Sequence, residues 1–374
     1  MRKNLDRRSP TSHKFNSNGT YNIKESYFSA NLRAIKRGTN MNAYERLINR
    51  MDGKPVDRLP NMCLVMAFAA KQLGVPYGKY VTDYRLLSEG VLRCFEKFHL
   101  DMLCVISDPM REAEGLGAKV IIPEDDIPYC KIKRIQKLSD IDTLKIVSPS
   151  KSRRMNDRLE AVRFLADHSR GEACVAGWVE GAVAESCDLM DMSEFMINMI
   201  DEPEAINHLL EICMQQSAKF ALEQIEAGAA LIGIGDAASS LIGPDLYEEF
   251  ALPYQQKLIE QIHNAGAKVK LHICGNLNPV LDLVALTGAD IVDLDHMVDM
   301  EEAASIFPQS MSICGNFDPV AVLLQGTPEL VKNEVKKCRR IESVNRSIIA
   351  AGCEVPKYTT DDNLMAVWEG IKLR

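Results

Sequence analysis

The feature that most constrains this chain is an alternation sustained from residue 41 to the C-terminus: short apolar runs of strand type, separated by stretches of helical spacing. Strands joined through helices pair in parallel, because each crossover returns the chain to the same end of the sheet. The strand-type runs fall at 61–66, 101–107, 173–179, 229–234, 268–273, 290–294, 310–314 and 347–351. Eight such units in roughly 330 residues fit an α/β fold, a (β/α)8 TIM barrel with insertions. An open doubly wound sheet is the alternative, but no G-x-G-x-x-G follows the first run. Between the strands, 42–51 reads as a helix closed by Asp52-Gly53 and followed by Pro55. The stretch 82–99 reads as a helix with Thr82 as N-cap and Leu86, Leu87, Val91, Phe95 and Phe98 turned inward. Further helices are expected over 203–227, 244–265 and 328–341, and an excursion or hairpin over 118–122.

Residues 1–40 break the pattern. They are rich in Asn, Ser, Arg and Lys and carry a net charge of +7, which leaves −15 on the remainder of a chain whose total is −8. The expectation is a basic, flexible N-terminal arm before a barrel domain over 41–374; docking of that arm on an acidic partner or on the domain is the alternative. The acidic balance argues against nucleic acid as a main partner. No apolar run reaches the roughly 18 residues of a membrane span, and the N-terminus lacks the apolar core of a signal peptide. A cytoplasmic protein is therefore expected. Its eleven cysteines then read as reduced thiols, with metal binding or catalysis as the sharper roles. Cys63, Cys94, Cys104, Cys130, Cys174, Cys187, Cys213 and Cys338 read as small buried apolar residues.

In a (β/α)8 barrel, functional groups gather where strands end. The fourth to eighth runs end in Gly235-Asp236, His272-Ile273-Cys274-Gly275, Asp293-Leu294-Asp295-His296, Cys314-Gly315-Asn316 and Gly352-Cys353-Glu354. His272 and Cys274 are two apart, so a strand presents them on one face. Cys353, from the last strand, can reach across the mouth. One imidazole and two thiolates suit Zn²⁺, and three protein ligands with a free fourth position is the catalytic arrangement. Packing alone is the bland account of H-x-C, and Cys314 competes with Cys353 as third ligand or joins as a fourth.

These residues resemble the uroporphyrinogen decarboxylase superfamily, and within it the zinc-dependent corrinoid-protein methyltransferases of the methylcobalamin:coenzyme M type. The resemblance covers nearly all of 42–372. Its markers are Gly53-Lys-Pro-Val-Asp57-Arg58-Leu-Pro60, Asp236-Ala-Ala-Ser-Ser240, Pro244 with Tyr247-Glu-Glu-Phe250 and Pro253-Tyr254, His272-Ile-Cys274-Gly275-Asn276, Gly315-Asn316-Phe-Asp318-Pro319, Gly352-Cys353-Glu354-Val355-Pro356 and Asn363-Leu364. The methyltransferase branch implies zinc on His272, Cys274 and Cys353, a corrinoid (methylcobalamin) carried by a partner protein, and a small thiol or methylated molecule as the other substrate. The decarboxylase branch carries an arginine-rich signature after the first strand; Met62–Ala70 here has none. Asp236, Asp295 and Glu354 are candidate catalytic residues, for hydrogen bonds to substrate or to His272. Asn276, Asn316 and Asp318 are candidate cofactor-binding residues. Helix capping and loop structure are the bland roles for Asp236 and Asp295, and turn formation or N-capping for Asp318 before Pro319. His296, also at the mouth, reads as a solvated loop histidine.

Overall fold

In the computed structural model, residues 41–341 and 346–372 are described; the expected basic arm lies outside them. Seven parallel strands form one sheet: β1 (Met102–Cys104), β4 (Cys174–Glu180), β5 (Leu231–Gly235), β6 (Lys268–His272), β7 (Ile291–Asp293), β8 (Ser312–Phe317) and β9 (Ile348–Ala351), adjacent in that order. A small antiparallel pair, β2 (Val120–Ile121) with β3 (Tyr129–Cys130), fills the expected excursion after β1.

The run at 61–66 does not form a full strand. Only Asn61 pairs, in a parallel bridge with Ile349. Met62 N–H donates to Ile349 O at 2.8 Å and Ile349 N–H to Pro60 O at 2.9 Å, while Asp101 N–H donates to Asn61 O at 2.8 Å. The short segment thus lies between β9 and the start of β1 and closes the sheet into a barrel. On the β1 side, side chains take the neighbouring backbone donors: Asn61 N–H donates to Asp101 Oδ2 at 2.7 Å and Cys63 N–H to Asn61 Oδ1 at 3.4 Å. Asp101 is fully buried. It also accepts from Arg58 Nη2 at 2.9 Å and from Arg46 Nη1 at 2.6 Å, and Arg46 binds Asp57 at 2.6 Å. The Asp57-Arg58 motif is therefore the clasp of the barrel.

The barrel strands are buried along nearly their whole length, as a parallel sheet covered by helices requires. The outer helices follow the expected spacing with local corrections. Asn42 caps Ala43–Met51 in a capping box with Glu45. The helix Tyr84–Phe98 is capped by Asp83, whose carboxylate accepts from Arg85 N–H. Thr82 does not cap it, because its hydroxyl donates back to Gly78 O at 2.8 Å. The stretch 244–265 is one α-helix only from Leu252 to Asn264; a π-helical segment, Tyr247–Ala251, precedes it.

Candidate metal centre at the barrel mouth

Register sets the site. Glu180, Gly235, His272, Asp293, Cys314 and Ile348 are register partners in sequence across β4 to β9; the first four end their strands, whereas Cys314 lies within β8 and Ile348 opens β9. Lys270 and Trp178 lie one layer below, paired through Gly233. Strand side chains repeat every second residue, so Lys270 and His272 share a face with Trp178 and Glu180. Two glycines on β5 make room for this lining. A Cβ on Gly233 would meet the Trp178 ring at 2.1 Å, and one on Gly235 would lie 3.0 Å from Glu180 Oε2.

His272 Nε2, Cys274 Sγ and Cys353 Sγ meet at this mouth. Nε2 lies 2.9 Å from Cys274 Sγ and 4.0 Å from Cys353 Sγ, and the two sulfurs are 3.6 Å apart. Among the described residues no other group of three potential ligands is this compact. A tetrahedral zinc with bonds of about 2.3 Å to sulfur and about 2.0 Å to nitrogen needs ligand edges of roughly 3.5–3.8 Å. The sulfur–sulfur edge meets that figure and the two nitrogen–sulfur edges straddle it, so the donors fit such an ion in size and in chemistry. Gly275, at φ +96°, turns the chain after Cys274. Gly352 lets the chain before Cys353 approach closely: a Cβ there would lie 2.6 Å from His296 N.

The imidazole is held from behind. Asp293 Oδ2 accepts from His272 Nδ1 at 2.9 Å and is itself ion-paired with Lys270, which is buried inside the barrel. Burial opposes a charge on Asp293, but Lys270 and His272 together keep the carboxylate well below its usual range. With Nδ1–H committed to Asp293, the neutral ring offers Nε2 to a metal, the carboxylate–histidine support common at zinc sites. Burial opposes charge on His272, yet its hydrogen bonds to Asp293 and Cys353 raise it to about 9. The hydrogen bond from Cys274, with help from His272, pulls Cys353 down to about 4. Cys274 is pushed far up, first by that shared hydrogen bond and then by burial.

The remaining expected residues sit around this centre in different ways. Asp295 supports the loops: its Oδ2 accepts from Gly275 N–H at 2.8 Å and its Oδ1 from His296 N–H at 2.6 Å. His296 Nδ1 lies 2.6 Å from the same Oδ1. Asn316 donates to Asp295 O at 3.0 Å and Val298 O at 2.7 Å, fixing the turn after β7. Asp318 caps the segment Pro319–Leu324 through Val320 and Ala321 N–H. Asn276 is exposed and accepts from Asn278 N–H at 3.1 Å. Asp236 is fully buried; it accepts from Ala184 N–H at 2.9 Å and from Gln255 Nε2 at 2.7 Å. Glu354 has one carboxyl oxygen sealed without a hydrogen-bond partner among the described residues, and burial, then Cys353, raises it to about 7. Cys314 is fully buried in the layer of His272 and Asp293, outside the compact trio.

Spacing set Asp293 at a strand end without giving it a role, and passed over Lys270, Trp178 and Glu180. A signal for them was present. Gly233 and Gly235, two apart on a strand, leave a groove on one face that large neighbouring side chains must fill.

The uroporphyrinogen decarboxylase (URO-D) family model matches residues 42–373. A methylcobamide:CoM methyltransferase from Methanosarcina acetivorans is 29% identical over 335 residues, 88% of this chain and 97% of that protein. A uroporphyrinogen decarboxylase from Prochlorococcus marinus is 30% identical over 286 residues, 74% of this chain and 80% of that protein. Among solved structures, a methyltransferase from Methanosarcina mazei superposes with a TM-score of 0.81 at 22% identity, covering 88% of this chain and 98% of the other. With the family model spanning the whole barrel, the chain belongs to the uroporphyrinogen decarboxylase family.

Proposed function

We propose that this chain is a zinc-dependent methyltransferase, moving a methyl group between a corrinoid held by a partner protein and a small thiol, or a methylated small molecule in the reverse direction. The observation that carries this reading is the open trio of His272 Nε2, Cys274 Sγ and Cys353 Sγ, with His272 oriented by Asp293. Three protein donors leave a fourth position for a substrate atom. Bound zinc supplies the positive charge that keeps a substrate sulfur deprotonated and nucleophilic near neutral pH. The residues of the chain do the rest. Asp293 fixes the imidazole, Asp295 anchors the loop carrying Cys274, and the layer below it, filled by the buried Trp178 and Lys270, forms the floor of the site. The two cysteines offset the metal charge, so the bound sulfur keeps its electron density. The sulfur lone pair would form the new carbon–sulfur bond to the methyl group brought by the partner's corrinoid, and the carbon–cobalt electron pair would stay with the corrinoid.

Relatives named as methylcobamide:CoM methyltransferases, matched over 97% of their length, support methyl transfer and a corrinoid partner. Decarboxylases are similar in sequence as well, but Met62–Ala70 lacks the arginines that resemblance to them implies. Eleven free cysteines suit the reducing cytoplasm, and no helix among the described residues is long and apolar enough to cross a membrane. Metal analysis joined to an assay with methylcobalamin and a thiol tests the proposal. About one zinc per chain is expected, and Cys353→Ala should lose both the metal and nearly all methyl transfer. Full activity in metal-free wild-type protein would contradict it.

A further inference from the structure

The connections that leave the far ends of β4 to β8 frame the mouth around His272, Cys274 and Cys353. Not one of them places a Lys or Arg before the outer helix that follows. Between Gly181 and Val331 the chain has Lys219, Lys257, Lys268 and Lys270 and no other residue of either type. Lys219 and Lys257 lie on the outer helices Pro203–Glu226 and Leu252–Asn264. Lys268 opens β6 at the opposite end of the barrel and pairs with Asp290 at 2.8 Å, and Lys270 is committed to Asp293. On the remaining connections, Lys357 pairs with Asp125 at 2.6 Å and Lys71 Nζ donates to Thr359 O at 3.1 Å. Arg111 is fully buried between Glu180 at 2.8 Å and Glu112 at 3.5 Å.

Backbone N–H groups at helix starts and turns are the other common device for holding an anion. At this mouth the chain's own carboxylates occupy them. Asp236 Oδ1 accepts from Ala184 N–H, in the first turn of the helix Ala182–Leu189, at 2.9 Å. Asp295 takes Gly275 N–H and His296 N–H, and Asp318 takes Val320 N–H at 2.7 Å and Ala321 N–H at 2.9 Å. These carboxylates are answered by amide and imidazole groups, not by Lys or Arg. Gln255 Nε2 lies 2.7 Å from Asp236, and His296 stands between Asp295 at 2.6 Å and Asp318 at 3.6 Å. His296 N is in turn 2.6 Å from the place of a Gly352 Cβ, so this acidic group borders Cys353.

An anionic tail on a substrate would meet carboxylates at this mouth and no unmatched Lys or Arg among the described residues. A cleft lined by one sign of charge repels its like and gathers its opposite. Zinc on two thiolates carries no net charge, so a bound substrate sulfur adds one more negative charge to the same place. We propose that the small molecule taken by this centre carries a cationic ammonium tail and no anionic one. The inference rests on the thiol reading above and narrows it. An amino-bearing thiol, or its S-methyl counterpart in the reverse direction, fits the charge of the mouth; a sulfonate- or carboxylate-bearing thiol does not.

Three thiols of one length test this: 2-aminoethanethiol, 2-mercaptoethanol and 2-mercaptoethanesulfonate. Calorimetric titration of each into the zinc-loaded full chain near pH 7 gives its affinity, referred to the thiolate present so that differences in thiol acidity drop out. Zinc-edge absorption shows whether sulfur reaches the metal. The amine should bind at least about tenfold tighter than the sulfonate, with the alcohol between them. The gap should shrink in about 1 M salt, where the Debye length falls to about 3 Å. Ser240 Oγ lies 3.0 Å from the place of a Gly275 Cβ, and the next residue, Leu241, is exposed. Leu241→Lys therefore adds a cation beside the loop of Cys274 and should raise affinity for the sulfonate severalfold while leaving the alcohol unchanged. A wild-type preference for the sulfonate, or an amine-to-sulfonate ratio that neither salt nor Leu241→Lys alters, would overturn the proposal and leave the thiol reading standing. Failure of all three thiols to place sulfur on the zinc would overturn both.

Discussion

Asp293 carries more of the site than its neighbours. It joins a lysine buried in the barrel to the imidazole at the mouth. Asp293→Asn should therefore act twice. Loss of the support for His272 should cost about 10–100-fold in zinc affinity. Leaving Lys270 charged and unpaired should destabilise the fold by about 3–5 kcal/mol. Competition with a chelator reads the first effect and denaturant unfolding of the metal-free protein the second. The trio also makes a prediction about protons. Without metal at neutral pH, Cys353 is ionised, His272 carries a proton and Cys274 keeps its own. Both protons must leave when zinc binds. The sign follows: acid opposes binding, and affinity should rise about a hundredfold per pH unit around neutrality, with about two protons released by calorimetry.

At the scale of elements, the site depends on how closely β9 approaches the end of β7. Gly352 stands where a side chain would strike the backbone of Asp295 and His296. Gly352→Ala should push Cys353 away from Cys274 and His272, lowering zinc content while Cys274 and His272 keep their places; metal analysis against circular dichroism separates this from unfolding. The strands of the barrel were legible because each is a short apolar run bounded by helical spacing, and β4 to β9 lie within a few residues of their expected positions. The first run was not. Met62 to Met66 looks like a strand in composition, but the Asp101 and Asn61 side chains take the backbone N–H groups of Asn61 and Cys63, and only Asn61 forms a bridge. Thr82 failed as a cap for a similar reason, since its hydroxyl serves the preceding turn and Asp83 caps in its place. Such choices between side chain and backbone depend on tertiary neighbours that periodicity does not encode.

Across the whole molecule, the closing clasp and the candidate metal centre lie at opposite ends of the barrel. The clasp of Arg46, Asp57, Arg58 and Asp101 ties the segment around Asn61 to the base of β1, while His272 ends β6 and Cys274 and Cys353 follow the far ends of β6 and β9. The H-x-C pair and the late cysteine were legible because strand periodicity and barrel topology bring strand ends to one mouth. The supports behind them were not, because Lys270, Asp293 and Glu180 are polar groups inside a barrel, where composition alone expects packing. The central claim is that one zinc sits on these three residues and takes a substrate sulfur as its fourth neighbour. X-ray absorption at the zinc edge of the purified full chain tests it most directly. Two sulfurs at about 2.3 Å and one nitrogen at about 2.0 Å are expected, with a third sulfur appearing when a thiol substrate is added. A first shell of oxygen and nitrogen without sulfur would contradict it.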